Sequence, residues 1–257
     1  MRTVVVTGSA SGIGRATAGV LRQQGHRVVG VDRHDADVVV DLATPQGRAE
    51  LVDEVQAQAG GRIDAVVANA GLAHPAPPTI AVNFFGAVAT LEGLRPLLKA
   101  SRAPRAVATA SMAAILPHDG DLVELCLAYD EAGALERADK LVAAEQSDLI
   151  YASSKVALCR WVRRVAVDTG WAVAGIPLNA VAPGVVETPM VAGMLGTEVQ
   201  RAAMSALIPM PLNGFMQPEV PARLLAWMVS EENSHLCGQV VFVDGGSDVL
   251  IRGEHGW

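Results

Sequence analysis

A tyrosine and a lysine lie four positions apart in the segment Tyr151–Lys155. If the segment is helical, the two side chains share one face of the helix. A phenol is a poor base at neutral pH because its pKa is about 10, but an ammonium group ~4 Å away favours the phenolate by roughly 4 kcal/mol at an effective dielectric constant of ~20. The pair is therefore suited to exchange a proton with a substrate hydroxyl near neutral pH. Pairs with this spacing also occur on many helices that have no catalytic role.

Three further polar residues lie where a ligand could reach them. Ser111 follows an apolar strand pattern at Ala106–Ala110, Asn69 follows another at Ile63–Ala68, and Asn83 stands near the start of a predicted helix. A strand-end serine, a turn asparagine and a capping asparagine are each ordinary features. Together they fall at or just beyond the carboxyl ends of predicted parallel strands, where open α/β sheets bind ligands.

A glycine-rich turn, Gly8-Ser-Ala-Ser-Gly12-Ile-Gly14, joins the predicted strand Thr3–Thr7 to the predicted helix Ala10–Gln24. Glycines permit a tight turn and let a diphosphate approach the backbone, and the N-terminus of the helix favours the negative charge. Such a turn alone is also compatible with an ordinary connection. The order of strand, glycines and helix favours nucleotide binding.

Asp32 ends the predicted strand Arg27–Val31, 18 positions after Gly14. A carboxylate in this place accepts hydrogen bonds from both hydroxyls of an adenosine ribose. It would repel a 2′-phosphate by roughly 3 kcal/mol per charge pair at ~5 Å, so Asp32 predicts NAD rather than NADP. Arg33 argues the other way, because it could pair with a phosphate, and Asp32 could also be a simple turn residue.

Predicted strands alternate with predicted helices along the chain. This order is typical of βαβ units, so we expect an α/β protein with a single-domain Rossmann fold over residues 1–257, in which helices flank a doubly wound parallel sheet. The predicted strands are Thr3–Thr7, Arg27–Val31, Ile63–Ala68, Ala106–Ala110, Leu178–Ala182 and Val240–Val243, and the principal helices are Ala10–Gln24, Pro45–Ala59, Val82–Ala100 and Ser154–Thr169.

The sequence resembles the short-chain dehydrogenase/reductase family, whose cofactor loop TGxxxGxG is matched at every fixed position by Thr7–Gly14. The resemblance covers nearly the whole chain and implies four catalytic roles. Tyr151 would be the general acid/base, and Lys155 would lower its pKa and bind the nicotinamide ribose. Ser111 would polarise the substrate carbonyl, and Asn83 would hold a water in the proton relay.

The family's cofactor segments match as well. Asn69–Gly71 corresponds to the segment beside the adenosine, Asp41–Leu42 to the pair that contacts adenine, and Pro183–Thr188 to the segment that holds the nicotinamide carboxamide. The resemblance thus implies that NAD is bound by Gly8, Ser11, Gly12, Ile13, Gly14, Asp32, Arg33, Asp41, Leu42, Asn69, Ala70, Gly71, Tyr151, Lys155, Pro183, Gly184, Val186 and Thr188.

An insertion of residues, about 119–149, separates Ser111 from Tyr151. It contains two helical patterns, one lined by Leu122, Leu125 and Tyr129 and the other by Leu135, Ala138, Leu141 and Val142. The insertion is similar to that of the bacterial 3α-hydroxysteroid dehydrogenase/carbonyl reductase branch, where it favours a dimer over the tetramer of many relatives. We therefore expect a homodimer or homotetramer, although the insertion could also be a surface hairpin with no role in assembly.

Residues of about 189–213 correspond to the lid that covers the substrate in this family. The segment is apolar and rich in methionine, which suits a bulky hydrophobic secondary alcohol or its ketone, although about half of these positions could simply pack on the core. A steroid is one candidate substrate, and a monoterpenoid or other alicyclic alcohol such as borneol is an alternative. A 3-oxoacyl thioester reductase and a non-catalytic NAD-binding protein are less favoured.

Composition and charge exclude several other classes. Lysine and arginine number 20 against 27 aspartate and glutamate, so a phosphate-tracking nucleic-acid binder is not expected. The longest uncharged segment, Ala65–Leu91, contains Pro75, Pro77 and Pro78, so we expect no membrane span there. The N-terminal apolar run, Thr3–Val6, is too short for a targeting segment, and we expect none. The cysteines form no pair spacing and the histidines are scattered, which predicts a cytoplasmic protein without a metal site.

Overall fold

A computed structural model describes residues 1–255 of the chain. Its centre is a seven-stranded sheet in the order β3-β2-β1-β4-β5-β6-β7, and all neighbouring strands are parallel. The predicted doubly wound sheet is therefore confirmed. The strands are β1 (Thr3–Thr7), β2 (Arg27–Asp32), β3 (Val38–Val39), β4 (Ala65–Ala68), β5 (Arg105–Thr109), β6 (Leu178–Pro183) and β7 (Val240–Val243).

The strand order reverses between β1 and β4. Val4 pairs with Val28 of β2 on one side and with Ala65 of β4 on the other. The chain therefore first moves outward to β3 and then returns across β1. In open α/β sheets, the crevice outside the carboxyl ends of the strands at such a reversal is the place for a ligand.

Helices cover both faces of the sheet. They are α1 (Gly12–Gln23), α2 (Pro45–Ala59), α3 (Pro78–Ile80), α4 (Ala87–Leu98), α5 (Gly120–Leu127), α6 (Glu131–Ala143), α7 (Asp148–Val165), α8 (Glu198–Leu207), α9 (Glu219–Met228) and α10 (Ser247–Arg252). A π-helical turn, Ala81–Gly86, joins α3 to α4, and short 3₁₀ turns span Met112–Ile115, Ala172–Ala174, Pro189–Met194 and Gly253–His255.

Successive residues of β1 point to opposite faces of the sheet, as the strand geometry requires. Val4 and Val6 pack with Leu21 of α1 and Leu225 of α9 on one face. On the other face, Val5 belongs to the larger core that α2, α4 and α7 contribute to. Because both faces are covered, the strands are continuous apolar runs rather than alternating ones.

Some predicted boundaries are wrong. The first residues of the helix predicted over Val82–Ala100 form the π-helical turn, so α4 begins only at Ala87, and the helix predicted from Ser154 begins at Asp148. The chain thus reaches Tyr151 already in helical conformation. The pattern also missed β3, which has two residues and is too short to show a period.

The insertion forms the two predicted helices, α5 and α6, and its apolar side chains join the main core. Leu122, Cys126 and Leu141 are at most 2% exposed. The prediction that Tyr129 and Val142 belong to the buried apolar stripes is wrong, because their side chains are 56% and 43% exposed. Tyr129 has a φ of 60° at the end of α5, which turns it away from the helix, and its hydroxyl accepts a hydrogen bond from the buried Trp161 at 2.7 Å.

Ion pairs fix the insertion at two places. Arg137 donates two hydrogen bonds to Asp119, at 3.0 and 2.6 Å, and Asp119 also caps α5 by accepting from the Leu122 amide. Arg48 of α2 donates to both carboxylate oxygens of Glu131 in α6, at 2.8 and 2.7 Å. The Arg48 side chain is only 8% exposed, so Glu131 supplies the counter-charge of a buried cation.

No helix within residues 1–255 is both long enough and apolar enough to cross a bilayer.

We expect Glu131→Gln to lower the free energy of unfolding by about 1–3 kcal/mol, because it leaves the buried Arg48 without a charged partner. Glu136→Gln is a matched control, since Glu136 pairs with Lys140 where both side chains are more than 60% exposed. That variant should change stability by less than about 0.5 kcal/mol. Urea unfolding of both variants and the wild type measures the difference, and equal effects would contradict the role of the Arg48–Glu131 pair.

Candidate active site

A cavity of about 860 Å³ opens at the carboxyl ends of the strands. It contains nearly all of the residues that the sequence singles out, and Gly14 and Asn83 are the two that do not reach its wall. The predicted residues on the wall are Gly8, Ser11, Gly12, Ile13, Asp32, Arg33, Asp41, Leu42, Asn69, Ala70, Gly71, Ser111, Tyr151, Lys155, Pro183, Gly184, Val186 and Thr188.

The glycine-rich turn brings the N-terminus of α1 to one end of the cavity. Gly8 has a φ of 70°, and a Cβ on Gly12 would lie 3.2 Å from the Thr188 methyl group. A Cβ on Gly14 would lie 2.0 Å from the Gly8 carbonyl oxygen, so Gly14 lets the helix approach the turn although it does not touch the cavity. The N-cap hydroxyl of Ser11 makes no capping hydrogen bond. These features fit a diphosphate.

The Asp32 carboxylate is held at the edge of the cavity by backbone amides. One oxygen accepts from the Ala10 amide at 3.0 Å and the other from the Arg33 amide at 2.7 Å. Each carboxylate oxygen keeps a lone pair for a further donor. Arg33 is exposed beside it, and His34, which the sequence did not single out, also lines the cavity.

Asn69 joins the ends of three strands. Its amide group donates to the Thr7 carbonyl of β1 at 3.1 Å, and its side-chain oxygen accepts from the Thr109 hydroxyl of β5 at 3.1 Å. The Thr7 hydroxyl in turn accepts from the backbone amides of Asn69 and Ala70, both at 2.9 Å. The residues after β4 are thereby fixed between the glycine-rich turn and the strand that leads to Ser111.

Tyr151 and Lys155 lie on consecutive turns of α7 beside the end of β5. The Lys155 ammonium donates to the Thr109 carbonyl at 2.9 Å and lies 5.8 Å from the centre of the Tyr151 ring. Burial lowers the pKa of Lys155 to about 8. Ser111, at the end of β5, is 9% exposed and opposes the rise in the Tyr151 pKa by hydrogen bonding to the phenol.

The direction of the Tyr151 pKa differs from the sequence prediction. Burial raises the pKa of the phenol, and Lys155 does not reverse the effect in the protein alone. Both groups lose hydration in the same enclosed place, and this desolvation disfavours the charged form of each, the phenolate and the ammonium. The ammonium also donates its hydrogen bond to the Thr109 carbonyl, at 2.9 Å.

Asn83 lies behind the cavity wall in the π-helical turn and is fully buried. Its side chain accepts from the Leu72 amide at 2.7 Å and donates to the Leu72 carbonyl at 2.9 Å and to the Ser154 hydroxyl at 3.0 Å. A Cβ on Gly71 would lie 3.1 Å from the Asn83 side-chain oxygen and 3.7 Å from the Lys155 ammonium. Asn83 therefore supports the loop beside Lys155, and its expected hold on a relay water stays a prediction.

The lid covers the other end of the cavity with the 3₁₀ turn Pro189–Met194 and with α8. Its wall residues are Pro189, Met190, Val191, Gly193, Met194, Met204, Leu207 and Ile208, none of which is polar. Other apolar residues of the lid have a different role. Leu195 and Met210 are buried in a small cluster that holds the lid on the body, and Leu212 is 68% exposed.

Sequence reasoning missed several wall residues near this end: Leu72, Ala73, His74, Pro75, Met112, Ala113, Leu116, Asp148 and Val185. Leu72, Met112 and Val185 directly follow or precede a predicted site residue in the chain. Asp148 could have been found, because it lies three residues before Tyr151 and helical spacing places both on one side of α7.

Two of the cysteines are buried, and potential metal ligands are not grouped in the described part of the chain. Within residues 1–255, no three histidine, cysteine, aspartate or glutamate side chains form a group that could hold a metal ion. Cys126 and Cys159 are buried, and burial raises the pKa of each thiol to about 12.

We expect the burial of Lys155 to make stability depend on pH. Its pKa is about 8 in the folded protein, against about 10.4 in an unfolded chain. Between these values the unfolded state binds more protons, so this group's contribution to the free energy of unfolding rises with pH, by about 2 kcal/mol from roughly pH 7.5 to 9.5.

Urea unfolding of the wild type and of Lys155→Met at those two pH values measures the contribution. The wild type should gain this amount relative to the variant at the higher pH, because the variant has no group to titrate there. A difference that stays constant would show that Lys155 is not desolvated.

Comparisons with known proteins agree with this geometry. The short chain dehydrogenase model matches residues 2–121, and a model described as enoyl-(acyl carrier protein) reductase matches residues 135–248. The 3-alpha-hydroxysteroid dehydrogenase/carbonyl reductase of Comamonas testosteroni is 36% identical, with 98% of both chains covered. The cis-4-hydroxycyclohexanecarboxylate dehydrogenase of Sinomonas cyclohexanicum is 32% identical over 95% of this chain and 96% of the relative.

A solved structure is also very similar. The 3-alpha-hydroxysteroid dehydrogenase from Pseudomonas sp. B-0831, in complex with NADH, has a TM-score of 0.90 and 39% identity, and the match covers 98% of this chain and 99% of that one. The glycine-rich turn, the Ser111–Tyr151–Lys155 centre and the matches over nearly the full length identify the chain as a member of the short-chain dehydrogenase/reductase family of oxidoreductases.

Proposed function

We propose that the protein is an NAD-dependent oxidoreductase that interconverts a hydrophobic secondary alcohol and its ketone. The observation that carries the proposal is the position of the Ser111 and Tyr151 side chains. They lie in one cavity between a nucleotide-type end, with the glycine-rich turn and Asp32, and an apolar end formed by the lid. A 3α-hydroxysteroid is the first candidate substrate, since the chain is similar to two proteins named for that activity.

The nucleotide end fits NAD. Glycines without Cβ atoms and the N-terminus of α1 suit the diphosphate, and the two carboxylate oxygens of Asp32 suit a ribose diol. A 2′-phosphate at the same place would face the carboxylate, although Arg33 stands close by. The similar Pseudomonas enzyme was crystallised with NADH. When bound, the nicotinamide ring supplies the hydride acceptor or donor.

The residues of the chain supply the proton and the polarisation. In the oxidation, Tyr151 takes the proton of the substrate hydroxyl and Ser111 donates a hydrogen bond to the same oxygen as it becomes a carbonyl. Lys155 stands on the next turn of α7, fixed by the Thr109 carbonyl, where its positive form favours the phenolate. Asn83 keeps the Leu72 loop beside Lys155, and we assign the relay water to this region.

The apolar end favours a neutral substrate. The wall of this end carries the lid methionines, and its acidic residue is Asp148, one turn before Tyr151. The basic wall residues Arg33 and Lys155 belong to the nucleotide end and to the reacting centre. An alcohol with a carboxylate, like the one for which the Sinomonas relative is named, would therefore meet a like charge. A monoterpenoid or other alicyclic alcohol is the second candidate, because flexible methionines adapt to different apolar shapes.

We also infer a homodimer or homotetramer. Apolar side chains are exposed on the helices that precede and follow the edge strand β7 in the chain, where Trp227 of α9 is 41% and Leu250 of α10 is 58% exposed. An unpaired strand edge beside an apolar surface supports association with a second copy. The insertion contributes fewer exposed apolar residues, so we assign the contact to the β7 side.

Initial rates of NAD⁺ and NADP⁺ reduction with a panel of alcohols test the function. We expect turnover of a 3α-hydroxysteroid with NAD⁺, less of borneol or cyclohexanol, and least of cis-4-hydroxycyclohexanecarboxylate and a 3-hydroxyacyl thioester. NAD⁺ should be preferred by about two orders of magnitude, and Asp32→Ser should reduce the preference. A preference for NADP⁺ together with the thioester would overturn the proposal in favour of a 3-oxoacyl thioester reductase.

Tyr151→Phe tests the chemistry. The variant removes the acid/base hydroxyl but keeps the ring, so kcat should fall by about three orders of magnitude or more, while the Kd of NADH changes less than about threefold. NADH fluorescence titration and steady-state rates give the two quantities. An equal loss of NADH binding would assign Tyr151 a structural role instead.

A further inference from the structure

Three segments of the chain meet at the carboxylate of Glu187. The residue lies between Val186 and Thr188, which both line the cavity. Its two carboxylate oxygens accept hydrogen bonds from Arg201 of α8 and from the side-chain amide of Gln217, beyond the lid. Arg201 lowers the pKa of Glu187, so the carboxylate is charged at neutral pH.

The same place closes the base of the lid. The Glu187 amide donates to the Met216 carbonyl at 2.9 Å, and the Met216 amide donates to the Val185 carbonyl at 3.1 Å. Val186 and Met216 thereby form an isolated parallel bridge. The two ends of the lid are fixed to each other by the backbone, and Glu187 stands on this bridge.

Arg201 carries the constraint into the lid. Its guanidinium group lies 5.5 Å from the centre of the Phe215 ring, so it is held between Glu187 and an aromatic face. Met204, three residues further along α8, lines the cavity and shares the side of the helix that Arg201 occupies, and Ile208, which directly follows the helix, lines the cavity as well. The contact at Arg201 therefore sets the rotation of α8 and the depth of the apolar end.

We propose that Glu187 is a positioning residue that, through Arg201, fixes the lid at the depth required by bulky ring alcohols. The inference rests on the proposed function for its choice of substrates. Glu187 joins the Thr188 segment, proposed to bind the nicotinamide, to the wall that surrounds the substrate. Small alcohols do not extend to Met204 and Leu207, so their turnover does not depend on this contact.

Four variants test the role: Glu187→Gln, Arg201→Gln, the double variant, and Glu198→Gln as a control. Glu198 also lies on α8 and is exposed, but it does not line the cavity. With saturating NAD⁺, both single variants should raise the KM of a 3α-hydroxysteroid about tenfold. Arg201→Gln, which lies outside the nicotinamide segment, should change kcat little and kcat/KM for cyclohexanol less than about threefold. The double variant should be no worse than either single variant, because one interaction is lost in all three.

Equal losses for both alcohols, an additive double variant, or a steroid KM like that of the control would each overturn the inference. Thermolysin digestion gives a readout that needs no activity. Cleavage near the exposed Leu207 and Leu212 should be faster in Glu187→Gln than in the wild type or in Glu198→Gln. If the wild type oxidises neither alcohol, the proposed function fails, and this digestion still decides whether Glu187 holds the lid: unchanged cleavage rejects it.

Discussion

The hydrogen bonds of Asn69 are the interactions on which the arrangement of the site depends. Parallel strands end together, and their terminal backbone groups must be satisfied where β1, β4 and β5 separate. Asn69 does this with both atoms of its amide, which bond to Thr7 and Thr109. Because Thr109 also accepts from Lys155, one short network connects the glycine-rich turn to the reacting centre. The nucleotide end and the chemical end of the cavity are thus held at a fixed separation.

Burial acts on the two ionisable groups of this centre in opposite directions. It raises the pKa of Tyr151 and lowers that of Lys155 to about 8, so each equilibrium is shifted towards the neutral form before a ligand is bound. The enclosed site therefore does not hold a phenolate in advance. The positive form of Lys155, which predominates at neutral pH with a pKa of about 8, is the charge within the pair that favours the phenolate.

The sequence predicted those parts of the fold that have a repeating pattern. The strand Thr3–Thr7 and the helix Pro45–Ala59 have the predicted bounds, because both are defined locally: the strand by its apolar run, and the start of the helix by Thr44, whose hydroxyl accepts from the Gly47 amide. The catalytic spacing was found for the same reason, since i and i+4 on a helix is a local relation. The π-helical turn at Asn83 was not predicted, because it depends on contacts with Leu72 and Ser154 that are distant in sequence.

Quantities that depend on surroundings were predicted less well. The prediction that the pKa of Tyr151 is lowered was wrong, because desolvation depends on the folded environment and not on sequence spacing. In the lid, composition indicated apolar contact with a substrate, but it did not separate wall residues such as Met204 from anchors such as Met210. The role of Glu187 was also missed, since its partners Arg201 and Gln217 become neighbours only when the lid closes on its own base.

The insertion and the lid differ in how firmly they pack on the rest of the molecule. Leu122 and Leu141 share one apolar cluster with Leu158 of α7, so the insertion and the helix that carries Tyr151 and Lys155 open and close as one cooperative unit. The lid differs, because α8 buries none of its residues. Local opening therefore costs little free energy in the lid and much more in the insertion behind Tyr151. A molecule built in this way can admit and release substrate on the timescale of loop motion while its proton-transfer geometry stays unchanged.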